Sequence, residues 1–190
     1  MPKDTLIGSR ICGGNTAYQR NKSDFYPTPP EATQALLNFL GLPNGTKVWE
    51  PACGEGHMVR VLRNNHLSVI GTDIQTGTDF LNEDLPSNTE WIITNPPFSL
   101  AEQFIKRCKK HNIPFALLLK SQYWHASKRI FLFYEARPTY ILPLTWRPDF
   151  LFKERGSGSP LMDVIWCVWI PGTQKTEYMP LVKPQLEETI

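Results

Sequence analysis

Short apolar segments alternate with longer amphipathic ones through the middle of the chain, and this alternation constrains the fold more than any other feature. The apolar segments at residues 47–50, 68–72, 91–94 and 115–119 have the length of strands, and the last of them is apolar throughout. A wholly apolar strand is typical of a sheet that is buried on both faces. Strands that alternate with helices form a parallel sheet, so the pattern predicts an α/β fold.

Four helices are expected between and around these strands. The first begins at Pro29 or Pro30 and ends at Gly41, and the hydroxyl of Thr28 is placed to cap its start. Another begins near residues 58–62. Residues 100–110 carry apolar side chains at helical spacing, and residues 126–136 can form the fourth helix.

Two further strands are expected near the end of the chain, at residues 140–142 and 164–170. Only the loop from Pro148 to Pro160 joins them, and this loop lacks a helix-length apolar pattern. The second strand is therefore predicted to run antiparallel to its neighbour. A chain of 190 residues suits one domain. We expect a flexible N-terminal arm at residues 1–24, a catalytic domain at residues 25–172 and a C-terminal tail at residues 173–190.

The composition of the chain limits the cellular environment and the kinds of partner that we expect. The net charge of +2, from 20 basic and 18 acidic residues, gives no global attraction to polyanions. No apolar run is long enough for a membrane helix or a signal peptide, so no membrane partner is expected. Four widely spaced cysteines, Cys12, Cys53, Cys108 and Cys167, fit neither a disulfide framework nor a zinc site. We therefore expect a reducing cytoplasm and no bound metal; no oligomeric state is predicted.

A turn with two glycines follows the first strand, with the sequence Glu50-Pro51-Ala52-Cys53-Gly54-Glu55-Gly56. The carboxyl ends of strands bind ligands in open α/β sheets, and glycines let the backbone come close to a ligand. Acidic side chains beside the turn disfavour phosphate groups. A cationic cofactor without phosphates therefore fits this turn better than a nucleotide cofactor.

Two further acidic positions follow at distances typical of cofactor binding. Asp73 ends the second strand, where a carboxylate can accept both hydroxyls of a ribose. Asp79 can accept from an adenine amino group while Phe80 packs on the base. Each signal is weak alone, because a glycine pair is usually a plain turn and Asp73 alone is usually a solvated strand-end residue. The ordered set is more specific.

The tetrapeptide Asn95-Pro96-Pro97-Phe98 directly follows the third strand. Two prolines can simply stop a sheet. They also remove two backbone donors and stiffen the turn, so the Asn95 side-chain oxygen and nearby carbonyls form an acceptor-rich pocket. An exocyclic amino group could donate both of its hydrogens into that pocket. Phe98 offers a flat face on which an extruded base could stack.

From about Phe25 to Phe98 the ordered set resembles the S-adenosylmethionine-dependent amino methyltransferases, most closely the adenine-N6 DNA methyltransferases of the gamma class. The matching motifs are Thr28-Pro29-Pro30, Glu50-Pro51-Ala52-Cys53, Gly71-Thr72-Asp73, Asp79-Phe80-Leu81 and Asn95-Pro96-Pro97-Phe98. Arg147-Pro148-Asp149-Phe150 and the late apolar strand look similar to small phage-type adenine methyltransferases. The resemblance implies a single-domain Rossmann-like fold with a mostly parallel seven-stranded sheet. One strand near the C-terminus would be antiparallel, and helices would cover both faces.

The resemblance also implies S-adenosylmethionine as cofactor, DNA as partner, and methyl transfer to N6 of adenine in a bacterial or phage-infected cytoplasm. The implied cofactor-binding residues are Tyr26, Thr28, Glu50, Pro51, Ala52, Gly54, Gly56, Asp73, Ile74, Asp79 and Phe80. The implied catalytic residues are Asn95, Pro96, Pro97 and Phe98. Within these sets, Thr28 would hold the methionine carboxylate, Asn95 would accept from the target amine, and Phe98 would stack on the base. Ala52 stands where the family often has glycine, which should narrow the pocket slightly.

The residues after Phe98 are mostly used by the sheet, so we expect no separate target-recognition domain. Arg147, Lys153 and Arg155 surround the Gly-Ser loop and could contact phosphates. A surface loop without that role is the alternative. Two other functions remain open: a methyltransferase that acts on RNA bases or on a protein glutamine, and a non-catalytic binding module that retains the cofactor fold.

Overall fold

A computed structural model describes residues 27–150, 160 and 162–186 of the chain. The expected arm at residues 1–24, together with Tyr26, Lys153 and Arg155, lies outside the described residues. The described residues form four α-helices and a seven-stranded sheet. In chain order the elements are α1 (Pro30–Leu40), β1 (Lys47–Glu50), α2 (His57–Asn64), β2 (Ser68–Gly71), β3 (Trp91–Thr94), α3 (Ala101–His111), β4 (Phe115–Lys120), α4 (Ile130–Glu135), β5 (Tyr140–Pro143), β6 (Val164–Trp169) and β7 (Glu177–Tyr178).

The strands follow the order β2-β1-β3-β4-β6-β5-β7 across the sheet. Strands β1 to β4 are mutually parallel, whereas β6 runs antiparallel to both of its neighbours, β4 and β5. Glu50 pairs with Gly71 and Thr94 pairs with Leu117, so the carboxyl ends of the first four strands reach one edge. The predicted α/β fold, with a mostly parallel sheet and an antiparallel strand near the C-terminus, is confirmed.

Helices cover both faces of the sheet, as the resemblance implied. In β4, Ala116 and Leu118 pack in the cluster that contains α1 and α2, while Leu117 and Leu119 pack in the cluster that contains α3 and α4. Burial on both faces explains why this strand is apolar at every position. The longest described helices, α1 and α3, have 11 residues each. None of the helices in the described ranges is long and apolar enough to cross a membrane.

Helix α1 begins at Pro30 and is terminated by Gly41, as expected, but the predicted side-chain cap is absent. Gly41 adopts a left-handed conformation with φ of +56°, and its N–H donates to the Leu37 carbonyl at 2.9 Å. The predicted cap by Thr28 is wrong, because Pro29 occupies the cap position and no side chain caps the helix. Thr28 is instead buried, and its hydroxyl accepts a hydrogen bond from Asn95.

Helix α4 is shorter than the predicted segment 126–136. Two 3₁₀ turns, Ser121–His125 and Ser127–Arg129, precede it, and Ala126 between them has an extended backbone. The extended residue separates the first turn from the second, which leads directly into the helix, so regular α-helix begins only at Ile130.

The last strand, β7, lies within residues 173–190, which the sequence pattern places outside the catalytic domain. Glu177–Tyr178 pairs in parallel with β5, and Leu181 is buried and forms a bridge with Leu144. The sheet therefore extends beyond residue 172. Both residues of β7 are exposed, so the strand carries no apolar pattern that could have predicted it.

Gly71, the last residue of β2, lies close to Val59 of α2. A Cβ atom at Gly71 would lie 2.9 Å from Cγ2 of Val59 and 3.4 Å from Cβ of Cys53. We expect Gly71→Ala to lower the free energy of unfolding by about 1–3 kcal/mol, because the added methyl overpacks this contact. Urea denaturation would measure the loss. Ser68→Ala, at an exposed position of the same strand, should change stability little.

A double variant tests whether the clash with Val59 is the cause. Val59→Ala removes the closest methyl, so combining it with Gly71→Ala should cost less than the sum of the single effects. Strict additivity of the two losses would contradict the steric explanation.

Candidate active site

The cleft that holds the predicted residues lies where the strand order reverses. The chain passes from β1 outward to β2 and then returns to β3 on the other side of β1. In open α/β sheets such a reversal leaves a crevice at the carboxyl ends of the strands, and ligands bind there. Eight predicted cofactor residues line the cleft: Thr28, Glu50, Pro51, Ala52, Asp73, Ile74, Asp79 and Phe80. All four residues of the tetrapeptide 95–98 line it as well.

Glu50 is a buried carboxyl group at the end of β1, only 1% exposed. Its Oε1 accepts from the Thr94 hydroxyl at 2.5 Å and from the Ala52 N–H at 3.3 Å. Its Oε2 is buried and has no hydrogen-bond partner among the described residues. Burial raises the pKa of Glu50 to about 8, although the hydrogen bonds from Thr94 and Ala52 act in the opposite direction. The cleft therefore contains an acid that a cationic ligand would stabilise as the carboxylate.

The glycines of the turn shape the cleft rather than line it. Gly54 and Gly56 have φ values of +45° and +78°, in the left-handed region that side chains disfavour. The Gly54 N–H donates to Oδ2 of Asp73 at 2.8 Å, and the Gly56 N–H donates to the Cys53 carbonyl at 2.7 Å. The turn thus folds back onto the end of β2, and α2 starts directly after it.

Asp73 is buried and held by two backbone donors. Its Oδ1 accepts from the Gln75 N–H at 2.9 Å, and its Oδ2 accepts from Gly54. Each carboxylate oxygen can accept a second hydrogen bond, so these contacts leave capacity for a ligand hydroxyl. The next residue, Ile74, lines the cleft with a largely exposed apolar side chain.

Asp79 and Phe80 are tied into the surrounding structure more than the sequence suggested. Asp79 accepts from the Leu81 N–H at 3.1 Å and from the Asn82 side chain at 2.5 Å. The Phe80 ring packs against Trp49 and Phe104, with centroid distances of 5.1 and 4.6 Å. Phe80 is therefore part of the core beneath the cleft as well as part of its wall.

Asn95 and Thr28 meet across the cleft although 67 positions separate them in the chain. The Asn95 Nδ2 donates to Oγ1 of Thr28 at 3.0 Å, and Thr28 is buried. This bond fixes the plane of the Asn95 amide and turns its nitrogen toward Thr28. The residue implied for the target amine and the residue implied for the cofactor are thus in direct contact.

Phe98 opens a 3₁₀ turn, Phe98–Leu100, directly after Pro97. The ammonium of Lys120, the last residue of β4, lies over the Phe98 ring at 4.4 Å from its centroid. The sequence did not single out Lys120, because its proximity to Phe98 follows from the pairing of β3 with β4. Met58, Leu100 and Phe104 also line the cleft and were not predicted.

Of the three basic residues predicted to contact nucleic acid, Arg147 lies within the described residues. Its Nε donates to Oδ1 of Asp163 at 2.7 Å, and both side chains are about half exposed. Arg147 is therefore in a surface ion pair with Asp163. To bind a phosphate, its guanidinium would have to share or break this ion pair.

Comparison with known proteins identifies the fold. No protein-family model matches the sequence, and no curated protein is similar to it at a significant level. Among solved structures, the methyltransferase subunit of a type I restriction-modification system from Streptococcus thermophilus is 13% identical, with a TM-score of 0.58, and the match covers 92% of this chain and 50% of that one. A modification subunit assigned to a type I restriction enzyme from Vibrio vulnificus is 14% identical, with a TM-score of 0.57 and coverage of 97% and 52%.

The 23S rRNA methyltransferase ErmE is 13% identical, with a TM-score of 0.53, and the match covers 80% of this chain and 73% of that one. The chain spans about half the length of the two restriction-modification subunits. At these identities the likeness concerns the fold. Together with the strand order described above, it shows that the chain has the Rossmann-like fold of these methyltransferases.

Proposed function

We propose that this chain transfers a methyl group from S-adenosylmethionine to the exocyclic N6 amino group of adenine in DNA. The observation that carries the proposal is the 3.0 Å hydrogen bond between Asn95 and Thr28. It joins, at one point of the cleft, the residue assigned to the target amine and the residue assigned to the cofactor. The fold shared with methyltransferases and the position of Asn95 directly after β3 support the assignment.

The described residues fit S-adenosylmethionine. The buried Oε2 of Glu50 has no partner within the described residues, and a cationic methionine part would provide one. Thr28 would hold the methionine carboxylate, Asp73 would accept from the ribose hydroxyls, and Asp79 would accept from the adenine amino group. Ile74 provides exposed apolar surface for the adenine ring, to which Phe80, only 2% exposed, can add little. The acidic residues around the turn are unsuited to phosphate groups, which this cofactor lacks.

When bound, the cofactor supplies an electrophilic methyl group on a sulfonium. The Asn95 oxygen and the Pro96 carbonyl would accept the two hydrogens of the target amine and so direct its lone pair toward that methyl. Phe98 would hold the base by stacking. The amine nitrogen would become positively charged as it takes the methyl group from the sulfonium, whose S–C bond would break, and it would then lose one proton to water. Catalysis then consists mainly of orientation and electrostatic placement.

A transfer assay with methyl-labelled S-adenosylmethionine tests the proposal. The protein is incubated with separate pools of duplex DNA, single-stranded DNA, RNA and protein, and the labelled pool is digested to identify the modified unit. We expect the label in DNA as N6-methyladenine. Label in RNA or on glutamine would contradict the proposal that DNA is the substrate, but it would agree with methyl transfer as the reaction. Failure to bind S-adenosylmethionine in calorimetry would contradict the proposal that the chain is a methyltransferase.

A further inference from the structure

A hydroxyl group from the neighbouring strand holds the buried carboxyl group of the cleft. Thr94, the last residue of β3, donates its hydroxyl to Oε1 of Glu50 at 2.5 Å, although 44 positions separate the two residues in the chain. Thr94 is wholly buried, and Glu50 is only 1% exposed. We propose that Thr94 is a positioning residue for the cofactor: its hydroxyl favours the carboxylate form of Glu50 and leaves Oε2 to bind the cationic part of S-adenosylmethionine. This inference rests on the proposed function, in which Glu50 receives that cationic part.

The hydroxyl determines which carboxyl oxygen a ligand can use. Oε1 accepts from Thr94 and, at 3.3 Å, from the Ala52 N–H. Oε2 is buried and has no hydrogen-bond partner within the described residues. Glu50 lines the cleft, whereas Thr94 does not. The bond to Thr94 therefore orients the carboxyl group so that its second oxygen is the one left for a ligand in the cleft.

The chemical effect of the hydroxyl is to stabilise a charge that burial disfavours. Burial raises the pKa of Glu50 to about 8, and the hydrogen bond from Thr94 acts against that rise. Bulk water cannot replace the hydroxyl, because both side chains are buried. The Ala52 N–H is a poor substitute, since 3.3 Å is longer than most N–H···O bonds. Removing the hydroxyl should therefore favour the neutral acid, which a cation binds poorly.

The other ionisable groups around Glu50 stay the same when Thr94 is replaced. Asp73 follows the neighbouring strand β2, and its charge raises the pKa of Glu50 further. Cys53, His57 and Asp79 line the same cleft. Burial raises the pKa of the Cys53 thiol to about 11, so this thiol stays neutral up to pH 9. A difference in titration between the wild type and a Thr94 variant therefore comes from the lost hydroxyl.

The titration of Glu50 in the free protein tests the inference. Thr94→Val keeps the shape of the side chain but removes the hydroxyl, and Thr94→Ser keeps the hydroxyl. Protein with isotope-labelled glutamate carboxyl carbons is titrated by NMR, and the Glu50 signal is assigned by its absence in Glu50→Gln. In Thr94→Val we expect the pKa of Glu50 to be higher by about one pH unit, the effect of losing one hydrogen bond to a charged group. Thr94→Ser should titrate as the wild type does.

The affinity for S-adenosylmethionine tests the consequence for the cofactor. Calorimetry measures it for the wild type and Thr94→Val at several pH values, and the ratio of the two affinities cancels the titration of the cofactor itself. We expect Thr94→Val to bind about tenfold more weakly at pH 7 and within about twofold of the wild type at pH 9, where much of Glu50 is ionised in both proteins. A purely structural loss would weaken binding by the same factor at every pH.

A second variant and a matched control accompany these measurements. Thr94→Ala removes the same hydroxyl with different packing, so it should raise the pKa of Glu50 as well, and it serves if Thr94→Val does not fold. Thr33 in α1 is as deeply buried as Thr94, but its hydroxyl has no hydrogen-bond partner within the described residues. Thr33→Val should therefore keep the wild-type titration of Glu50 and the wild-type affinity.

An unchanged pKa of Glu50 in Thr94→Val would overturn the inference. A lower pKa would also overturn it, since Glu50 would then be the donor and Thr94 the acceptor. A loss of affinity by one constant factor at every pH would overturn the role of the hydroxyl toward the cofactor. The NMR titration needs no cofactor, so its result is separate from that of the proposed function, which fails if the wild type does not bind S-adenosylmethionine.

Discussion

Replacing Asn95 with alanine is expected to lower methyl transfer by about 100-fold to 1,000-fold while the affinity for S-adenosylmethionine changes by less than about threefold. The amide oxygen is the proposed acceptor that orients the target amine, and removing one preorganised polar group from a reaction site has effects of this size. Cofactor binding should be nearly retained, because Thr28, Glu50 and Asp73 remain. Single-turnover transfer of the labelled methyl group and calorimetry with S-adenosylmethionine measure the two effects separately.

Two further variants serve as comparisons for Asn95→Ala. Asn95→Asp keeps acceptor oxygens at the same place but loses the N–H that Thr28 accepts, so we expect it to retain more activity than the alanine variant. Asn38→Ala, at an exposed position of α1, should behave as the wild type. Loss of transfer and cofactor binding together in Asn95→Ala would contradict the role assigned to Asn95.

The parallel part of the sheet could be predicted because its signals are local. A wholly apolar run such as residues 115–119 is expected wherever a strand is buried on both faces, and an α-helix follows three of the four runs, at β1, β3 and β4. Strand β7 could not be predicted, since two exposed residues enter the sheet only through pairing with β5. The shortened α4 was also not predictable, because Ala126 takes an extended conformation that the helical spacing of the segment does not reveal.

The site was predictable as a group of residues but not as a set of contacts. Motif order places Glu50, Asp73 and Asn95 at carboxyl ends of strands, and the sheet brings these ends together. Which groups touch depends on tertiary structure, as the bond between Thr28 and Asn95 shows. For the same reason the sequence could not show that Lys120 covers Phe98.

Glu50→Gln is expected to raise the free energy of unfolding at alkaline pH and to weaken cofactor binding. The folded-state pKa of Glu50 is about 8, against 4.5 for an unperturbed glutamate. From pH 4.5 to 8 the unfolded chain gives up this proton while the folded protein keeps it. The free energy of unfolding of the wild type is therefore unaffected by this group below pH 4.5 and falls as the pH rises toward 8. The total loss is roughly 5 kcal/mol, at about 1.4 kcal/mol for each pH unit. Glutamine cannot ionise, so the variant should unfold at higher urea concentration than the wild type at pH 8 and at a similar one at pH 4.5.

The same titration should govern the affinity for S-adenosylmethionine, because a cation binds the carboxylate rather than the neutral acid. For the wild type we expect the affinity to rise nearly tenfold per pH unit up to about pH 8 and to level off above it, whereas Glu50→Gln should bind weakly at every pH. Glu83→Gln, at an exposed position, should show neither effect. Calorimetric titrations at several pH values measure the affinities. A Glu50→Gln variant no more stable than the wild type at pH 8 would show that this carboxyl ionises normally. A variant that is more stable and also binds the cofactor with wild-type affinity would instead show that the buried acid serves another ligand.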